Sequence, residues 1–235
     1  MPSSASAELW IKYKPRRRFA SSGNEFAGEE ASRQMMTDPI YFTIYCARYK
    51  FVARLLNGTR SIAEVGCGDG FGTTFLAKSG ERVVAYDIDA ERLEDCRRRL
   101  SHLQNLSFIE HDFAVKEFEV EPKSFDALVM VDVLEHIFPN EEDVFLRHVS
   151  GLLHENGVAI IGTPNIEAQR WAGENARLTH VNLKSASTLR ETLTKHFARV
   201  LILGQNDEVI HTGFDGMCHY LWAVCYGVQT KRSTV

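Results

Sequence analysis

The densest chemistry-bearing stretch of the sequence is EVGCGDGFGT, residues 64–73. Gly66, Gly68, Gly70 and Gly72 occupy alternate positions, with Glu64 ahead of them and Cys67 and Asp69 between them. Glycines that follow an apolar segment let the chain turn tightly and bring bare backbone against a ligand. A second group lies in VDVLEHIF, where Asp132, Glu135 and His136 stand at i, i+3 and i+4. If that segment turns helical, the three share one face, and two carboxylates with an imidazole can hold a divalent ion. A further ligand must come from elsewhere, and His180 in RLTHVNL is the best candidate. Neutral His136 is also a candidate general base for an acceptor hydroxyl. His180 and His211 complete the candidate catalytic histidines, His211 lying in NDEVIHTGF between two expected strands.

These residues need elements to hold them at one place. From residue 60 onward the sequence alternates short apolar runs with helical patterns. SIAEVG, RVVAYD, LSFIE, FDALVMV and GVAIIG read as strands, and ARVLILG and HYLWAVCY close the series. Helices are expected at about 71–79, from Asp89, over Val144–Leu152 and at about 185–196. Strands alternating with helices give an α/β fold: a Rossmann-like, doubly wound sheet of seven strands, mainly parallel, with an antiparallel edge pair and helices on both faces. In such sheets ligands bind beyond the C-terminal ends of the strands. Each motif above stands at such an end, as do Asp87 in VVAYD, Asp112 and Phe113 in FIEHDF, and Val131.

The chain divides into an N-terminal arm and helical cap, 1–56, and a catalytic domain, 57–235. Residues 1–30 read as irregular. A helix is expected from about 31 to 56, broken at Asp38-Pro39 and ended by Asn57-Gly58. Tyr41 and Tyr45 from that helix, with Arg170 and Trp171, are candidates for a lid over the acceptor.

A dinucleotide site would read G-x-G-x-x-G/A. Started at Gly66 the pattern fails at Phe71, and started at Gly68 it fails at Thr73. What stands here is an acidic residue followed by G-x-G-x-G. This resembles the first motif of class I S-adenosylmethionine-dependent methyltransferases, and the resemblance covers roughly residues 55–204. It implies a cofactor, S-adenosyl-L-methionine, that carries a sulfonium and no phosphate, so Glu64 beside the glycines is electrostatically tolerable. It implies that Glu64, Gly66, Cys67, Gly68 and Gly70 form the loop against the cofactor and that Asp87 takes the ribose hydroxyls. It implies further that Ile88 packs on the adenine, that Asp112 and Phe113 flank the adenine, and that Val131 closes the fourth-strand side. The L-E-H-I segment is similar to that of ubiquinone-pathway O-methyltransferases. D-x-x-E-H also resembles the E-x-x-E-H of small-RNA 2′-O-methyltransferases, which hold magnesium with it and a later histidine. That likeness implies a magnesium or zinc ion on Asp132, Glu135, His136 and His180.

Composition narrows the partners. A net charge of -4 over 235 residues gives no electrostatic reason to expect nucleic acid, and KYKPRRR at 12–18 is the one basic run, expected as a solvated leader. Five cysteines without C-x-x-C argue against a disulfide framework and fit a reducing compartment. No apolar run spans a membrane, no signal pattern opens the chain, and a cytoplasmic location is expected. The expected activity is therefore methyl transfer to a small-molecule acceptor at oxygen, phenolic or quinone-type on one hand, sugar or nucleotide-sugar on the other. The rivals are a metal-dependent RNA 2′-O-methyltransferase, an NAD-type oxidoreductase with an altered loop, and a non-catalytic binding module. Composition and motifs leave the oligomeric state open.

Overall fold

A computed structural model of the chain describes residues 3–13, 27–115 and 124–229. Of the basic run, Lys14 and Arg16–Arg18 lie outside the described residues. Three helices come first: α1 (Ala5–Tyr13), α2 (Glu29–Thr37) and α3 (Pro39–Leu55). The region read as irregular thus contains one full helix and the start of another. No apolar stripe marks α1 because its buried residues are small, Ser6 and Ala7. The break between α2 and α3 falls at Asp38-Pro39, as the proline requires. Asp38 caps α3 by accepting the Tyr41 amide at 3.0 Å, and Gly58 at φ 83° ends the segment in the left-handed region.

Alternation then follows: β1 (Thr59–Val65), α4 (Thr73–Ala77), β2 (Gly80–Asp87), α5 (Ala90–Arg99), β3 (Leu106–Glu110), β4 (Phe125–Val131), α6 (Glu142–Gly151) and β5 (Leu153–Pro164). The chain continues with α7 (Glu174–Thr179), α8 (Ala186–Leu193), β6 (Phe197–Asn206), β7 (Val209–His211) and β8 (Tyr220–Val228). The sheet order is β3-β2-β1-β4-β5-β8-β6-β7. The first five strands are parallel, while β8 enters antiparallel between β5 and β6. The sheet therefore has eight strands where seven were expected. The extra one, β7, is three residues long, too short for an apolar-run signal, and turns back on β6 through Asp207 at φ 49°.

Each central strand is buried on both faces, so alternate residues feed two cores. Ala63, Val84 and Leu128 pack with α6 and α8 through Phe145, Leu146, Leu189 and Leu193. Ile62, Val83 and Val129 pack on the other face with Tyr49 and Val52 of α3, with Leu56 just after it, and with Trp222. The third helix is thus built into the sheet's own core. Parallel order reverses between β1 and β4, which makes the carboxyl ends of these strands the switch point. All five cysteines are free thiols, and among the described residues no helix is long and apolar enough to cross a membrane.

Candidate active site

A chamber of about 350 Å³ opens over the carboxyl ends of β1, β2 and β4, walled also by α1, α2 and α3. Its floor is the glycine loop. Gly66 has φ 78°, and a side chain there would meet Val133 at 2.3 Å, so this turn admits only glycine. Two carboxylates fix the loop from either side. The Gly68 amide donates to Asp87 Oδ2 at 2.8 Å, and Asp89 N–H donates to the other oxygen at 3.0 Å. Asp69 accepts the Phe71 amide at 3.2 Å and the Ala31 amide, at the head of α2, at 2.8 Å. The loop therefore positions α2 as well as any ligand.

Gly66, Cys67, Gly68, Asp87, Ile88, Asp112, Phe113 and Val131 all line the chamber. Asp87 is buried, and burial raises its carboxyl while the two backbone donors pull it back. Each of its oxygens keeps a lone pair for a further donor. Asp112 accepts Ser4 N–H at 2.8 Å and Ala114 N–H at 3.0 Å. Glu64 and Gly70 do not line the chamber. Glu64 lies beneath it, 1% exposed, and accepts the Tyr49 hydroxyl at 2.9 Å. Burial pushes its carboxyl up to about 7. Gly70 turns at φ 73° above Cys96, where a side chain would meet the sulfur at 2.8 Å.

At the far end the chain leaves β4 through Asp132, which has φ 57°, and winds into a 3₁₀ turn, Leu134–His136. Asp132 lines the chamber together with Glu135 and His136. Asp132 pairs with Arg48 of α3, Nη1 to Oδ2 at 2.8 Å. Glu135 is fully buried; its Oε2 accepts the Thr163 hydroxyl at 3.0 Å and its backbone oxygen takes the Val181 and Asn182 amides. Burial, then the charge of Asp132, holds the Glu135 carboxyl well above the usual range. His136 Nδ1 sits 3.0 Å from the Thr179 carbonyl, an arrangement that needs hydrogen on Nδ1 and leaves Nε2 as acceptor. The His180 ring is 5.1 Å from it. Burial lowers both imidazoles, His180 to about 4 with a further contribution from His136.

Donor atoms of Glu135, His136 and His180 lie within 4.8 Å of one another. Glu135 Oε1 and His180 Nδ1 are buried and have no partner among the described residues. Asp132 is not in this group and is paired with Arg48. His211 lies on β7, its Nε2 3.4 Å from the Asn206 amide and 3.8 Å from Cys218, and does not line the chamber.

Residues 63–159 match the family model described as a methyltransferase domain. The ubiquinone biosynthesis O-methyltransferase of Pelagibacter ubique is 28% identical over 104 residues, 44% of this chain and 42% of that protein. The chain spans about half the length of the curated relatives it matches. A possible histamine N-methyltransferase from Thermotoga maritima shares the fold at a TM-score of 0.65 and 16% identity, over 84% of this chain and 94% of that one. The N-methyltransferase NodS of Bradyrhizobium japonicum, solved with S-adenosyl-l-homocysteine, aligns at 0.61 and 17% identity over 86% and 99%.

Residues 63–159 are thus a methyltransferase domain, on the fold shared with S-adenosylmethionine-dependent methyltransferases of known structure.

The roof of the site was not legible in the sequence. Ser4, Ser6, Ala7 and Trp10 of the first segment, and Ala31 and Gln34 of α2, line the chamber. Apart from Trp10 these residues are small or polar, and such residues carry no periodic apolar signal. Arg48 was also missed, although an arginine among Tyr41, Tyr45 and Tyr49 on one helix is a usable sign of a buried charge. Of the expected lid residues, Tyr41 and Tyr45 line the chamber. Trp171 is 69% exposed and stacks under Arg170 at 3.9 Å, away from the chamber wall.

Proposed function

We propose that this methyltransferase moves the methyl group of S-adenosylmethionine to an oxygen of a small-molecule acceptor, with His136 as the general base. The carrying observation is the Thr179 carbonyl on His136 Nδ1 at 3.0 Å. It selects the neutral tautomer whose Nε2 can take the acceptor's proton, and burial keeps that imidazole unprotonated. The sulfonium is already activated, so alignment of acceptor oxygen, methyl and sulfur supplies most of the rest. In this reading Gly66, Cys67, Gly68, Ile88, Asp112, Phe113 and Val131 hold the adenosine, Asp87 takes the ribose, and Glu64 and Gly70 support the loop from below. Residues 1–56 form the arm and cap of one working unit with residues 57–235. The relation to a ubiquinone biosynthesis O-methyltransferase supports oxygen as the target atom.

A second reading adds a divalent ion on Glu135, His136 and His180. The two orphaned buried atoms, Glu135 Oε1 and His180 Nδ1, favour it. Two imidazoles and one carboxylate suit zinc or manganese better than magnesium, which prefers oxygen ligands. Such an ion would supply Lewis acidity toward an acceptor hydroxyl.

The test is methyl transfer from labelled S-adenosylmethionine into fractionated cell extract, with and without chelator. Label in a small-molecule or lipid fraction is expected, and its loss with chelator would establish the ion. Label in RNA alone would replace the acceptor class, and cofactor binding without any turnover would leave a binding module. S-adenosylhomocysteine should raise the melting temperature while NAD leaves it unchanged; the reverse would mark an oxidoreductase.

A further inference from the structure

We propose that α1 is a strap across the chamber: Trp10 is a positioning residue for His136, and exchange of the cofactor requires α1 to lift. The proposal rests on the methyltransferase reading of the chamber.

One short segment reaches both ends of the site. At the adenine end, Ser4 N–H donates to Asp112 Oδ2 at 2.8 Å. In the middle, the Ala5 and Ser6 amides donate to the two oxygens of Glu141 at 2.9 and 3.2 Å. The Ser6 hydroxyl donates to Glu141 as well and accepts the Phe138 amide at 2.9 Å. At the acceptor end, the Trp10 ring lies 4.8 Å from that of His136, with the Arg92 guanidinium 5.7 Å from its centre.

Trp10 and His180 both pack on the imidazole of His136, at 4.8 and 5.1 Å. The Thr179 carbonyl fixes one ring nitrogen. Packing from these neighbours then fixes the direction of the other, which is what a base needs. Removing Trp10 frees the ring without touching the cofactor loop.

The attachment is built to come undone. The fully buried residues of α1 are Ser6 and Ala7, which offer little apolar area; Leu9 and Trp10 are only half-buried and Ile11 remains 43% exposed. Hydrogen bonds to two carboxylates hold the segment instead, and water can replace them. Segments with few apolar contacts open at low free energy. The first of these bonds also sits on Asp112, the carboxylate at the adenine end. Its two oxygens already take Ser4 and Ala114, so strap and adenine must share the remaining lone pairs of one group. Docking of α1 and occupancy of the chamber are coupled through that residue.

Release of S-adenosylhomocysteine should be followed by Trp10 emission in a full-length Trp171→Phe protein, Trp222 being buried in the sheet. Glu141→Ala removes the central anchor and lies outside the chamber wall. It should speed release about tenfold or more, the effect of losing hydrogen bonds to a charged group, and shift Trp10 emission toward that of exposed indole. Separately, the imidazole C–H resonance of His136 should move in Trp10→Leu and return in Trp10→Phe. An unchanged release rate in Glu141→Ala, or a His136 resonance indifferent to Trp10, would overturn the proposal. Failure of the unaltered protein to bind S-adenosylhomocysteine would instead remove the methyltransferase reading, and the strap with it.

Discussion

Arg48 of α3 and Asp132, which follows β4, form an ion pair at 2.8 Å that ties α3 to the carboxyl end of the sheet. The guanidinium also lies 3.7 Å from the centre of the Tyr220 ring. It is thus held by charge on one side and by an aromatic face on the other. Asp132 keeps its left-handed φ of 57° with this partner in place. Backbone in that region costs on the order of 1–3 kcal/mol and persists only where the surroundings over-determine it.

The pair should be unequal under mutation. The Arg48 side chain is 4% exposed and that of Asp132 28%. Asp132→Ala strands a buried cation and should cost about 3–5 kcal/mol. Arg48→Met leaves the better solvated member and fills part of the space, so it should cost less. Urea unfolding of the two variants measures this. A larger loss for Arg48→Met would show that packing on Tyr220, and not the charge, holds the cap.

Glu64 should make stability fall as pH rises. Its folded carboxyl titrates near 7 against an ordinary value of 4.5, the shift being due first to burial. Between those values the unfolded chain has lost the proton that the folded one keeps. The unfolded state then binds fewer protons, and stability declines with pH through that window, by roughly 2–4 kcal/mol in all. Glu64→Gln should flatten this decline relative to the parent in cofactor-free thermal melts between pH 4.5 and 7. Parallel curves would mean that the carboxyl titrates normally.

Asp87→Ala should weaken S-adenosylhomocysteine by about 1–3 kcal/mol, the scale of hydrogen bonds to a charged group. The same change frees the Gly68 and Asp89 amides, so part of the loss comes through the loop. Asp87→Asn keeps one acceptor and should fall between the two. Calorimetry on the three proteins gives the order, and equal affinities would remove Asp87 from the ribose.

The parts legible in the sequence were those with a strong local signal. FDALVMV is β4 residue for residue, and the Asp38-Pro39 break separates α2 from α3, because apolar runs and proline act within a few positions. The glycine loop and Asp87 were legible for the same reason. What escaped depends on contacts between distant segments. Nothing around Asp132 announces that it meets an arginine 84 residues earlier. Ser4 and Trp10 join the site through bonds to Asp112 and packing on His136, which no periodicity encodes. His211 is placed beside Cys218 by β7, outside the chamber wall, a pairing that the spacing of the strands does not encode.

His136→Ala should abolish turnover and leave S-adenosylhomocysteine binding nearly intact if His136 is the proposed base, since its ring bonds the Thr179 carbonyl and packs on Trp10 and His180, not on the glycine loop. The pH profile discriminates further. Burial lowers the His136 imidazole below its ordinary value of 6.5, so the base stays neutral into mildly acid solution. The acid limb of kcat should then lie below pH 6.5, with full activity near neutrality. Trp10→Leu should weaken the shielding and move that limb toward higher pH. An acid limb above 6.5 in the unaltered enzyme, or turnover surviving in His136→Ala, would assign the proton to another group and leave His136 a wall of the chamber.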